Sequence, residues 1–187
     1  GTVDVEYKPT PQQTLSGSTT QAHPKLPSVI YTVTKLTKNA GNGVTEVTDY
    51  TYEEGLNDFR GPNNLKFAGF KKVTETQGTK KKITYFHQGN NSDSSVGEQN
   101  DQYAKIGKPF REDVTDLTNS LYLRTWYIWQ SVDKGNGSWY TYLADTVEQA
   151  YDGNTTHKDV ATSYTYSTST GNVLTETKWG EVIGGAT

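Results

Sequence analysis

The sequence predicts an all-β fold, an antiparallel meander of successive hairpins with no substantial helix. Three observations lead there. From Ser28 onward, β-branched and aromatic residues recur at every second position, the period of strands with one face turned inward. Gly/Asn clusters interrupt these runs at hairpin spacing. No window holds a helical period for the roughly 12 residues a helix needs.

Along the chain, residues 7–27 carry Pro9, Pro11, Pro24 and Pro27 among Thr, Gln and Ser with no apolar period, so 1–27 reads as an extended linker. Residues 28–187 read as one antiparallel β module. Val29 to Val33 and Val44 to Tyr52 flank the turn Asn39 to Gly43, and Phe67 to Thr76 and Lys81 to Gln88 flank Gln77 to Lys80. Gly89 to Asp101, nearly all polar, is the longest loop. Pro109 to Leu117 and Leu121 to Val132 then flank Thr118 to Ser120, and Trp139 to Val147 follows Lys134 to Gly137. Val160 to Ser167 and Val173 to Trp179 close the series around Gly171 and Asn172.

Composition limits the core. Hydrophobic residues make up 32% of the chain, below the roughly 45–50% of ordinary globular domains even when glycine is added. The 13 Tyr and 4 Trp can instead cover a thin, twisted sheet while their polar tips stay wet. Net charge is -3, and Lys80 to Lys82 is the densest basic run, which argues against nucleic acid as a partner. No apolar stretch reaches the ~20 residues of a membrane-spanning helix. The chain has no Cys, which excludes disulfides, thiolate nucleophiles and Cys-based zinc sites. With no Met and Gly at position 1, it reads as an excerpt of a longer polypeptide.

Four phrases follow one another in order: Tyr50-Thr51-Tyr52-Glu53-Glu54-Gly55, Phe67-Ala68-Gly69-Phe70, Tyr85-Phe86-His87-Gln88-Gly89, and Gly107-Lys108-Pro109-Phe110-Arg111. This succession resembles the middle, shell-forming region of Rhs/YD-repeat toxin proteins, namely the B-type subunits of insecticidal toxin complexes and SpvB-like proteins. The resemblance spans about 28–179. Tyr164 to Leu174, turning at Gly171, is similar to a YD repeat but has Ser167 where the repeat has Asp. The long YD array and the self-cleavage motif of the Rhs core are absent from this sequence, so no protease or toxin activity is carried over. The resemblance implies a secreted or cell-surface location and a virulence role. It also implies adjoining domains of the same large protein as partners, and an enclosed toxin polypeptide.

Some phrases have physical reasons of their own. Gly69 within an aromatic strand predicts a bulge, with Phe67 and Phe70 on opposite faces by simple alternation. Pro109 restarts a strand where no ladder donor is required.

Candidate chemistry resolves into structural readings. His23, His87 and His157 are far apart in sequence, and His87 reads as a hydrogen-bonded strand residue on the face of Ile83 and Tyr85. Asn90, Asn91, Ser92, Asp93, Glu98, Asn100 and Asp101 offer calcium-type oxygens but lack the fixed alternation of a known calcium loop, so they read as a solvated loop. Glu53-Glu54 and Glu112-Asp113 are adjacent on strands and point to opposite faces, so neither pair forms a glycosidase couple. The reading is therefore no catalytic residue, no metal site and no cofactor. Trp126, Trp129, Trp139 and Tyr140 are the candidates for a carbohydrate-binding or adhesin-like surface; strand parity divides Trp126 from Trp129, and packing against neighbouring layers accounts for them at least as well. The expected function is a non-catalytic structural module of a large exported protein, part of a shell around a polypeptide cargo.

Far-UV circular dichroism of the chain should be dominated by β-structure. Helix content above about a third, the average for soluble domains, would contradict the meander.

Overall fold

The computed structural model describes residues 1–60 and 65–182. Ten strands form a single sheet in sequence order, each pair of neighbours antiparallel. They are β1 (Thr2–Pro9), β2 (Tyr31–Asn39), β3 (Thr45–Phe59), β4 (Leu65–Gln77), β5 (Lys80–Phe86), β6 (Pro109–Asp116), β7 (Leu121–Gly135), β8 (Ser138–Ala150), β9 (Lys158–Tyr166) and β10 (Val173–Val182). The helical residues described are three single-turn 3-10 segments. The predicted meander is the observed fold, and tight turns make it. Asn136 and Gly137, both at positive φ (54° and 75°), join β7 to β8 with the turn twist a right-twisted hairpin favours.

The first 27 residues correct the linker expectation. Val3, Val5 and Tyr7 alternate with Asp4, Glu6 and Lys8, and β1 pairs with β2 along its whole length. That alternation is itself a strand signal, outweighed in the linker reading by the prolines from Pro9 onward; its apolar side chains are exposed (Val3 61%, Tyr7 62%), so what holds the strand is its backbone ladder and not a buried face. The edge of the sheet is therefore β1 itself.

Residues 10–30 then form a strap across a gap in the sheet. β2 pairs with β3 only over Lys35–Asn39 and Thr45–Asp49, so β3 beyond Asp49 would be left with open backbone groups. The strap fills that place: Glu54 N–H donates to the Ala22 carbonyl (2.8 Å) and Gly55 N–H to His23 Nδ1 (3.0 Å). Because Nδ1 accepts, Nε2 carries the ring proton and donates to Gln13 Oε1 (3.0 Å). Gln13 Nε2 in turn donates to the Lys8 carbonyl (3.0 Å) and to Thr32 Oγ1 (2.8 Å). Burial lowers the His23 pKa, against the weaker pull of Glu53, in keeping with a neutral ring. A Cβ at Gly55 would stand 2.9 Å from Leu26 Cδ2 and 3.0 Å from the Phe70 ring, so glycine is what lets the strap close.

One bulge overturns a parity expectation. Between Leu56 and Asn57 the register shifts, leaving Ala68 without a partner beside Gly69 at φ 88°. The predicted bulge is there, but it turns Phe67 and Phe70 to the same side, where their rings meet edge to face at 5.3 Å; the extra residue cancels one step of alternation. A second bulge lies on β8, where Ala144 is left without a partner between the pairs Ile128–Asp145 and Trp129–Leu143, so the alternation that divides Trp126 from Trp129 on β7 stands.

The core is thin, as the composition implied. Among the described residues the buried apolar set is Ala22, Ala68, Phe110, Ala144, Val147 and Ala161, and the buried polar and charged set is more than twice as long.

Strands β1 and β10 each leave one row of backbone groups without a strand partner among the described residues, a template for further pairing. Sedimentation of the isolated chain should show mass rising with concentration. A strict monomer at millimolar concentration would contradict open edges.

Candidate functional site: a buried polar cluster under the 87–108 connection

The second long connection links β5 to β6, and two of the four sequence phrases form its ends. His87 N–H donates to the Lys108 carbonyl and Gly107 N–H to the His87 carbonyl, both at 2.9 Å. His87 thus lies just past β5, which ends at Phe86 after a bulge, and not within a strand as expected. Gly89, at φ 80°, has no room for a Cβ, which would stand 2.9 Å from Ile106 Cγ1. Gln88 spans the gap left where β4 and β5 diverge, its Nε2 donating to the carbonyls of Glu54 (2.8 Å) and Gly69 (3.0 Å).

The loop expected to be solvated is folded inward. Asp93 and Glu98 are buried, because the loop's own backbone supplies the donors a buried carboxylate requires. Asp101 Oδ2 accepts N–H bonds from Gln88 (3.2 Å), Gly89 (2.6 Å), Asn90 (2.9 Å) and Asn91 (3.4 Å). Glu98 Oε2 accepts from Asp93 N–H at 3.0 Å. Each carboxylate has its second oxygen toward His87: Glu98 Oε1 lies 3.0 Å and Asp101 Oδ1 3.3 Å from Nδ1. The Nδ1 contact goes to Glu98 Oε1, and Asp101 Oδ1 is left without a hydrogen-bond partner. Burial alone would lower the His87 pKa, but the bonds and charges of Asp101 and Glu98 outweigh it and raise it. Asp101 moves the other way: burial opposes, yet His87 and the loop N–H groups hold its carboxyl well below the usual range.

Charged neighbours tie the connection to the sheet. Lys71 of β4 reaches Asp93 at 2.7 Å and Glu54 at 3.2 Å, and Lys105 Nζ donates to the Asn100 carbonyl at 2.7 Å. Arg111 Nη1 donates to the Val96 carbonyl at 3.0 Å, and its guanidinium also pairs with Asp113. Arg124 of β7 grips the same carboxylate, Nε to Oδ1 at 2.7 Å and Nη2 to Oδ2 at 3.0 Å. The guanidinium groups of Arg111 and Arg124 hold the Asp113 carboxyl below its usual value despite burial, which pushes it up.

The aromatic candidates are largely engaged with the chain itself. A Cβ at Gly97 would stand 2.3 Å from Trp126 Cη2, so the indole lies flush against the connection, and its Nε1 donates to Gln149 at 2.9 Å. Trp129 donates to the Pro109 carbonyl at 2.6 Å under the Lys108 ammonium. Tyr140 donates to the Gly171 carbonyl at 2.9 Å and stacks on Tyr142. Trp139 is 42% exposed. The remaining phrase residues serve the same framework. Tyr52 donates to the Val33 carbonyl at 2.9 Å and packs on Phe70, Tyr85 lies under Arg111, and Tyr50 is half-buried on β3 opposite Glu75.

The expected carboxylate pairs are split, each onto its own cation: Glu53 to Lys72 (2.7 Å), Glu54 to Lys71, Glu112 to Lys82 (3.4 Å) and Asp113 to its two arginines. His87 and Glu98 do form a histidine–carboxylate pair, but with side chains 2% and 0% exposed they offer no cleft to a substrate.

Residues 1–94 match the family described as the insecticide toxin TcdB middle/N-terminal region. The chain belongs to this family. Over 93% of its length it is also similar in fold to a solved toxin structure, "Crystal Structure of TcdB2-TccC3 without hypervariable C-terminal region", with a TM-score of 0.69 at 14% sequence identity. This TcdB-type chain covers 11% of that solved chain. No curated protein matches it. Among the described residues no helix is long and apolar enough to cross a membrane.

Replacing Asp113 by Ala leaves two arginines facing a buried void and should cost about 3–5 kcal/mol in urea unfolding, whereas Glu176→Ala on exposed β10 should cost less than about 1 kcal/mol. Because the folded-state pKa of Asp113 is depressed, its contribution is full above the ordinary aspartate range. It is lost as pH falls through the lower folded-state value, and Asp113→Ala should flatten that acid limb.

Proposed function

We propose that the chain is a non-catalytic structural module of a large exported toxin-complex protein, contributing one stretch of a shell around a polypeptide cargo. The observation that carries this reading is a sheet with its ten strands in sequence order and both outer strands free, in a chain that spans 11% of a solved toxin chain of the same fold. Such a strip gains partners only by continuation: β1 and β10 would pair with strands of adjoining domains, and enclosure would be steric, without chemistry. Its phrase residues, Tyr50, Tyr52, Gly55, Phe67, Gly69, Phe70, Tyr85, His87, Gln88, Gly89, Gly107, Lys108, Pro109, Arg111 and Gly171, would then be framework positions and not ligand contacts. An exported location follows from the same reading.

The surface-binding alternative rests on what the framework leaves free. Trp126, Trp129 and Tyr140 are engaged internally, so Trp139 is the candidate that remains open to a glycan.

These 187 residues contain no cysteine, so single-cysteine probes placed in them are unique within this module. Val5→Cys on β1 and Leu174→Cys on β10 should react with a bulky maleimide in the isolated chain and be protected in the full-length protein. A photo-reactive residue at Trp139 or Tyr122 in that protein should report whether the polypeptide cargo lies against the sheet. Full reactivity of both edge cysteines in the full-length protein would refute the shell reading, and glycan-array binding lost in Trp139→Ala would replace it with the surface-binding one.

A further inference from the structure

The geometry points to a structural divalent-metal site of the zinc class at His87 Nδ1, Glu98 Oε1 and Asp101 Oδ1. These three atoms lie within 4.8 Å of one another, with Nδ1 3.0 Å from Oε1 and 3.3 Å from Oδ1. Ligands about 2.0–2.2 Å from a zinc ion at tetrahedral corners stand about 3.3–3.6 Å apart, so small shifts bring the three into coordination.

The second observation is an unmet acceptor. Nδ1 has at most one proton, yet two carboxylate oxygens are directed at it. Asp101 Oδ1, on a side chain with 0% exposure, has no hydrogen-bond partner, and such a buried acceptor calls for an unseen cation or water. A proton on His87 serves one carboxylate; a dication serves both together with the imidazole nitrogen. The outer oxygens are already fixed by backbone donors, Asp101 Oδ2 by the N–H groups of residues 88–91 and Glu98 Oε2 by Asp93 N–H. That is the support which orients metal ligands in built sites. Two carboxylates and a neutral imidazole balance one dication; Lys71 is committed to Asp93 and Glu54, while the buried Lys105 ammonium, which donates to the Asn100 carbonyl, also interacts with the charges of Asp101 and Glu98. A mixed nitrogen and oxygen set favours zinc or manganese over calcium, whose ligands are oxygens. A bound ion would pin the 87–101 turn, and with it the closure of the connection over β6 and β7.

The test is zinc titration of the untagged chain against a chromophoric chelator, with metal analysis after dialysis and manganese in parallel. One ion per chain is expected, with affinity reduced at least tenfold in Glu98→Gln and in Asp101→Asn, which keeps an acceptor for the loop N–H groups. His157→Ala should leave binding unchanged, since His157 and Asp159 form the other histidine–aspartate contact on β9. Cobalt absorption of tetrahedral nitrogen and oxygen type in the wild-type chain tests the site without any variant that might fail to fold, and its absence overturns the assignment. Failure of the wild type to retain zinc or manganese also overturns it, as does binding that survives in folded Glu98→Gln and Asp101→Asn.

Discussion

A sheet without a second layer has to satisfy its buried polar groups from its own connections, and the rest of this molecule is organised around that requirement. Neighbouring strands of unequal length diverge at two places, beyond Asp49 on β3 and beyond Lys72 on β4. Each divergence would expose backbone donors and acceptors beside buried aromatic rings, at a cost of about 1–3 kcal/mol for each unsatisfied group. The strap at 10–30 closes the first place through Ala22 and His23, and Gln88 closes the second. Polar residues therefore dominate the buried set without contradiction, since nearly every one is hydrogen-bonded; among the described residues the buried acceptors without a hydrogen bond are Asn57 Oδ1, Asp93 Oδ2 and Asp101 Oδ1, and of these Asp101 Oδ1 is the one that faces a ring nitrogen and a second carboxylate.

The recurrent phrases gain a physical meaning in this frame. Their glycines and bulges sit where a strand must end, turn or admit a covering segment: Gly55 under Leu26, Gly69 at a bulge, and Gly89 and Gly107 at the mouths of the 87–108 connection. Their polar members carry the cross-links, Gln88 to two strands and Arg111 to both Asp113 and the Val96 carbonyl.

Local pattern reaches the strands and stops at their ends. The strand alternation from Tyr31 to Trp179, the turn residues, the Gly69 bulge and the thin core are all legible in residue order, because they depend on interactions within a few positions or on composition. β1 escaped because the prolines from Pro9 onward outweighed its own short alternation at 3–8, and the Phe67–Phe70 parity failed because one inserted residue inverts everything after it.

The buried cluster was half legible. His87, Glu98 and Asp101 could be named as residues with ligand chemistry, but their polar surroundings read as a solvated loop. Only the tertiary structure decided that this loop turns inward, since the donors that make its carboxylates tolerable are backbone N–H groups of residues 88–91 and 93, whose direction depends on the positive φ of Gly89 and Asn91 and on the pairing of His87 with Lys108. The sequence by itself determined an all-β meander and its family; the closing of its connections, and the convergence of three ligand-type atoms beneath one of them, belong to contacts that residue order does not encode locally.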